Sequence, residues 1–434
     1  MRKFNIISVL IIFCVSLIFF SCKKTKSLVK PVNYSYLYNP SASSLHPSVN
    51  IYHLNDTVSE LIIKIFPDEL LFNKANAEGI MRAYLSLKIE VREINERGML
   101  TENITDSISD NSDIEQDELN KRYYVSTYFK AIRGKKYNLI CDLKDNNRMA
   151  QVRIFHYVDK TDFCNSQNFR VFYAGTEQPV FDPKVLTNQK LSITHTDKSI
   201  HRLYIKYYQN SKDVSQPPFM ILPEPVLYNN YDTLYEVDFK DFYLFTPENE
   251  GLYLFQIDTS IHKGLSVMRF YDGFPKIDNS QEMIFPLKYL ASEPDYNEMN
   301  NAKNQKMAID DFWLRICNNN TERARQLIRI YYNRVFLANY YFTSFKEGWM
   351  TDRGMIYIVY GYPDLINKDA ESENWIYYGK KNKKALSFKF VRKDDPYSLN
   401  HFVLQRGASN TLWREATTSW LNGTVFNVDE LFKK

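Results

Sequence analysis

The chain has 434 residues, 44% of them hydrophobic and 15% aromatic, with a formal net charge of +4. That length exceeds one core and predicts two to three domains. So even a charge balance argues against a nucleic-acid partner, because affinity for phosphate backbones needs clustered Lys and Arg.

The chain opens MRKFNIISVLIIFCVSLIFFSC, with Arg2 and Lys3, an apolar run from about Ile6 to Phe20, then Ser21-Cys22. A basic start, a short apolar stretch and a small residue before the break describe a secretory signal. The competing reading is an uncleaved anchor, but the run falls short of the roughly 20 apolar residues a spanning helix needs. Ser21-Cys22 resembles the lipobox of bacterial lipoproteins, which implies a signal peptide over 1–21 and a mature Cys22 carrying acyl chains such as palmitate. Two or more acyl chains hold a protein stably on a bilayer. Residues 22–34 then form a polar, basic tether. Surface lipoproteins of the Bacteroidota resemble one another in acidic residues after the Cys. Here those positions are Lys23, Lys24, Thr25, Lys26 and Ser27, which implies outer-membrane anchoring on the periplasmic side.

The segment 35–160 reads as an antiparallel β-sandwich. Tyr84–Glu93, Arg122–Ile132, Lys136–Asp145 and Arg148–Val158 are rich in aromatic and β-branched residues and joined by short turns. The acidic stretch Leu100–Asn120 between them reads in part as a solvated loop. The segment 161–280 repeats the pattern in NFRVFYAG, SIHRLYIKYYQ, LYEVDFKDFYLF and EGLYLFQID, with Pro-bearing connections suited to edges. Two sandwiches in series are expected, with one larger sandwich as the competitor.

Beyond this the period changes, and 281–434 reads as an α+β domain. Met299, Ala302, Ile309, Phe312, Trp313 and Ile316 fall near helical spacing. Ala324, Leu327, Ile328, Tyr331, Val335, Ala338 and Phe342 form one face of a long helix capped by Asn320 or Thr321. Three strands and a final short helix, stopped by Gly423, close the chain.

Between the long helix and those strands lies KEGWMTDRGMIYIVYGYPD, Lys346–Asp364. Gly348-Trp349-Met350-Thr351-Asp352, then Arg353-Gly354 and the run to Gly361-Tyr362-Pro363-Asp364, resemble the GWxTD domain of exported Bacteroidota proteins. The resemblance covers about residues 285 to 434 and implies a place in the cell envelope, with no reaction attached. On physical grounds the stretch is a corner. Gly348 supplies φ > 0, Trp349 folds onto the core, Thr351 and Asp352 bond nearby N–H groups, and Gly354 admits a strand beginning near Met355. Pro363 sets a turn after it. The functional alternative has Asp352, Arg353 and Asp364 converging beside Trp349 and Tyr362, to bind a polar ligand or act as acid and base.

No metal-ligand spacing, nucleophile elbow or phosphate loop occurs in the sequence. No cofactor or metal is expected, and no catalytic residue is assigned. Cys141, Cys164 and Cys317 leave an odd thiol; Cys141 alternates with Tyr137, Leu139 and Leu143 and reads as a buried apolar residue. The expected role is a binding or scaffold module for another envelope protein or a glycan. The alternative is an envelope hydrolase using carboxylates of the GWxTD region. Asp-Ser/Thr followed by an apolar residue resembles Bacteroidota O-glycosylation sites, which marks Thr57, Ser107 and Thr233 as candidates.

Overall fold

The computed structural model describes residues 32–428 apart from 40–44, 75–78, 96–99, 116–123, 182–183, 186–187, 211–212, 222–229, 278, 380–382 and 408. Cys22, the stretch expected to be a signal and residues 22–31 of the expected tether lie outside the described residues; Tyr34, assigned to the tether, is instead buried and bonds the Ile366 carbonyl. The described chain is a tandem of β-sandwiches followed by an α+β region.

In the first sandwich, strands Ser48–His53, Val58–Lys64 and Tyr124–Lys130 form one sheet. The other holds Met81–Ile94, Lys136–Asp145 and Ala150–Asp159. Ile51, Leu61, Ile63 and Phe129 meet Leu85, Leu87, Ile89, Leu139 and Cys141 in one core. The strict alternation from Ala83 to Val91 supplies that face, as a strand of period two must.

The acidic stretch read as a loop is instead a strand, Leu100–Glu115, at the edge of the second sheet. Ser107, Ser109 and Asp110 face solvent while Ile108 and Ile114 turn to the core. Polar composition suits an edge strand, where charge discourages further pairing.

The second sandwich pairs a sheet of Phe169–Tyr173, Leu191–His195 and Tyr243–Phe245 with a sheet of Arg202–Gln209, Thr233–Asp238, Gly251–Gln256 and Leu265–Arg269. Phe169, Leu191, Ile193 and Phe245 pack on Leu203, Ile205, Phe255 and Val267. One short parallel pair, Lys184–Val185 with Met268–Arg269, extends the latter sheet.

The C-terminal region carries helices Ser280–Ile284, Glu293–Asn301, Gln305–Ile316, Thr321–Phe342, Asp352–Tyr360 and Asn410–Leu421. Its sheet runs Leu365–Lys368, Ser372–Gly379, Lys383–Arg392, Phe402–Leu404. Asn304 and Asn320 cap their helices by accepting from Met307 and Arg323 N–H groups. Gly423, at φ +70°, follows the last helix.

The apolar run after Gly354 is a helix and not the expected strand. Thr351 caps it, accepting the Gly354 N–H at 3.0 Å, and Gly361, at φ +86°, ends it. All nine of its residues are buried. A helix covered on every side has no polar face, so its sequence looks like a buried strand.

Candidate functional site

The corner begins where the long helix ends. Asn339, on its last turn, accepts the Trp349 N–H at 3.0 Å. Thr343 accepts the Gly348 N–H at 3.1 Å. These bonds fold the chain back against the helix. A Cβ on Gly348 would lie 1.9 Å from the Ala338 carbonyl oxygen, and one on Gly354 would lie 1.9 Å from the Gly348 oxygen. The two glycines are therefore required by backbone contact. Gly348 does not adopt the positive φ expected of it. Three layers of main chain touch here, and only hydrogen side chains fit between them.

Trp349 is buried. Its ring meets the edge of Tyr289 at 6.0 Å, and its indole N–H donates to Glu347 at 2.8 Å. Tyr289 donates to the Trp349 carbonyl at 2.7 Å, and burial holds its hydroxyl well above the usual range. Asp352 accepts the Leu404 N–H at 2.8 Å and the Arg406 guanidinium at 2.6 Å. Arg406 also donates to the carbonyls of Gln216 and Pro217, at 2.7 and 2.8 Å. The Ser215 N–H reaches the Met350 carbonyl at 3.1 Å. The Pro-rich connection of the second sandwich is thus stitched onto the corner.

Arg353 turns the other way, into the domain centre. It is 1% exposed and donates to Glu373, itself 0% exposed, at 3.0 Å. Its other terminal nitrogen donates to the side chain and carbonyl of Asn400, at 2.6 and 2.8 Å. Its plane lies over Phe402, 4.3 Å from the ring centre. Glu373 also accepts from Lys368, from Trp375 at 2.9 Å and from Tyr38 at 2.7 Å. Burial pushes the Glu373 carboxyl up, but Lys368, Arg353 and Tyr38 outweigh it and hold it at about 2. Burial, then the Glu373 charge, raises the Tyr38 hydroxyl.

Tyr38 arrives from the far end of the chain. Tyr34 and Tyr38 lie in the C-terminal core: the Tyr34 N–H bonds the Ile366 carbonyl at 2.9 Å, and Tyr357 donates to the Tyr38 carbonyl at 2.8 Å. Asp364, at the helix's other end, accepts the Tyr378 N–H at 2.8 Å. Pro363 is buried beside it, and Gly361 lies against Arg334, which caps the helix by donating to the Ile358 carbonyl at 2.9 Å. Asp352, Arg353 and Asp364 therefore keep separate partners, and none bonds another.

A cleft of about 480 Å³ opens where the two sandwiches meet the C-terminal domain. His156, Arg170, Lys368, Arg392, Asp395 and Tyr397 are among its walls; Trp349, Asp352, Arg353 and Asp364 are not. Arg392 stacks 3.8 Å from the Tyr157 ring centre and pairs with Glu371. Burial lowers His156 to about 4, so it is neutral at physiological pH.

Cys141, Cys164 and Cys317 are free thiols, and burial pushes Cys141 up to about 12. Thr57, Ser107 and Thr233 are all exposed; Ser107 stands on the edge strand and not in a loop. Tyr38, Lys368, Glu373, Asn400 and Arg406 carried no motif in the sequence. One signal does repeat: Glu347-Gly-Trp349 and Glu373-Asn-Trp375 each place a carboxylate two residues before the indole it receives.

A family model described as the GWxTD domain matches residues 251–422, so the chain carries that domain. No curated protein matches the chain. The match starts earlier than the helices, at Gly251. Packing explains this. Every residue of Gly251–Gln256 is buried, with Tyr253 and Phe255 in the second sandwich. Leu252 and Leu254 lie on the opposite face, against Tyr397 of the C-terminal region.

Proposed function

We propose that the chain is a Bacteroidota lipoprotein, anchored in the outer membrane through Cys22 and facing the periplasm. There it binds or scaffolds another envelope protein or a glycan and does no chemistry at its GWxTD corner. One observation carries the reading. Asp352 is occupied on both oxygens, by the Leu404 N–H and the Arg406 guanidinium, and Asp364 accepts the Tyr378 N–H through one oxygen. A carboxylate that accepts a backbone N–H and a guanidinium serves as a structural tie and is poorly placed to take a proton from a substrate. Asp352 ties the corner to the last strand, and Arg406 ties it to the second sandwich through the Gln216 and Pro217 carbonyls, as a rigid scaffold requires.

The test replaces the gene with Asp352→Asn and Asp364→Asn versions and scores the envelope phenotype of the deletion strain, with protein abundance measured alongside. Both versions should restore it wherever the protein accumulates. Full accumulation without restoration would overturn the reading in favour of an envelope hydrolase. The anchor is checked separately: the mature N-terminal peptide should carry an acylated Cys22, and protease added to intact cells should leave the protein whole.

A further inference from the structure

Among the described residues the second sandwich ends in an edge strand with one partner, and we propose that this edge docks an extended basic segment of a partner protein by strand addition. The inference rests on the binding-module reading and gives it a surface. Strand Thr233–Asp238 is the last of its sheet and pairs only with Arg202–Gln209 among the described residues. The Phe239 N–H bonds the His201 carbonyl at 2.9 Å. Antiparallel pairs alternate between bonded and non-bonded, so Thr233, Tyr235 and Val237 turn their main-chain groups inward. Leu234, Glu236 and Asp238 turn theirs out.

Such an edge is ordinarily blunted by charge, Pro, a bulge or a covering element; the charges here, Glu236 and Asp238, repel an acidic strand and leave a basic one admissible. Thr233–Asp238 contains neither Lys nor Pro. Its side chains add an apolar surface: Tyr231, Leu234, Tyr235, Phe242 and Leu244 are all exposed. Leu244 belongs to Tyr243–Phe245, the edge of the facing sheet. Only residues 239–242 connect the two strands, a span of about 18 Å at most from Asp238 to Tyr243, so both edges lie on one flank of the sandwich.

The charge selects the occupant. Asp232, Glu236, Asp238 and Asp241 stand against Lys240 in this stretch and against Arg202 and Lys206 on the strand it pairs with, a net of one negative charge. Glu236 pairs with Arg202, and Asp232 accepts the Gln209 N–H at 2.8 Å. The surplus is acidic. A segment alternating Lys or Arg with apolar residues would supply the missing ladder bonds, cover Leu234 and Tyr235 and meet the carboxylates. A second copy of the same edge would set acid against acid.

The test uses the full chain and an acetylated peptide of four Lys-Val repeats, with four Glu-Val repeats as control, read by hydrogen exchange over residues 231–245. The Lys-Val peptide should slow exchange there by roughly tenfold at saturation. Glu236→Pro removes an outward N–H and leaves the inner ladder intact; it should abolish the slowing without lowering the melting temperature. No slowing at millimolar peptide, equal slowing by the Glu-Val peptide, or undiminished slowing in Glu236→Pro would each overturn the proposal. So would a dimer in light scattering that Glu236→Pro dissociates. If the Asp352→Asn strain is restored while the edge stays silent, the edge fails and the binding reading stands. A slowed edge with an unrestored strain would be the reverse.

Discussion

Tyr38 and Glu373 stand 335 residues apart in the chain and 2.7 Å apart in the fold. Their bond closes a buried cluster with Arg353 and Lys368, and it makes the start of the described chain part of the C-terminal core. A fragment limited to residues 251–422 lacks Tyr34 and Tyr38, and it lacks the strand Arg202–Gln209 that pairs with Gly251–Gln256. Expressed alone it should be insoluble or unfolded, while a chain of residues 33–428 should fold; circular dichroism and sedimentation decide this.

Glu373→Gln should cost about 3–5 kcal/mol, because it leaves two buried cations without their carboxylate. The same group sets an acid limit. Its pKa is about 2 in the fold and about 4.3 in an unfolded chain, a depressed value. The stability it contributes is therefore present above about pH 4.3 and is lost as pH falls towards 2. Melting temperatures measured from pH 6 to 2 should fall less steeply in Glu373→Gln than in the parent.

Trp349→Ala removes a fully buried ring and its Tyr289 contact, and should cost about 3–5 kcal/mol. Asp352→Asn keeps an acceptor for Leu404 and leaves Arg406 its two carbonyls, so about 1–3 kcal/mol is expected. Denaturant midpoints should rank the two in that order. An Asp352→Asn variant as unstable as Trp349→Ala would show that the Arg406 tie holds the domains together.

Gly348→Ala and Gly354→Ala each place a methyl 1.9 Å from a carbonyl oxygen. The backbone layers must separate, and overpacking on this scale costs about 1–3 kcal/mol or more. Gly407→Ala serves as control: nothing lies within 4 Å of its added carbon, although its φ of +135° carries some strain. Soluble yield should drop sharply for the first two and least for the control.

Thr57, Ser107 and Thr233 are exposed, so a glycan at any of them displaces no packing. Native protein digested and analysed by mass spectrometry should show a glycopeptide at Ser107. Unmodified peptides over all three sites would remove the assignment.

The sandwiches were legible because each strand has one dry face and one wet face. The alternation from Ala83 to Val91, or in Leu191–His195, writes that geometry directly into the sequence. The long helix was legible for the same reason, with Ala324, Leu327, Tyr331, Val335 and Ala338 on one buried side. The run Met355–Tyr360 was not. Its surroundings are apolar on every side, so no period survives, and the choice of helix over strand fell to the Thr351 cap and the Gly348–Gly354 contact. The edge strand Leu100–Glu115 was hidden by its acidic composition, since its place depends on a partner strand and little on its own side chains. Composition and motif by themselves determined the β-rich front, the α+β end and the place of the GWxTD corner. Only the tertiary structure decided where each charge goes, because Tyr38 and Arg353 reach Glu373, and Asp352 reaches Arg406, across distances in sequence that no local pattern records.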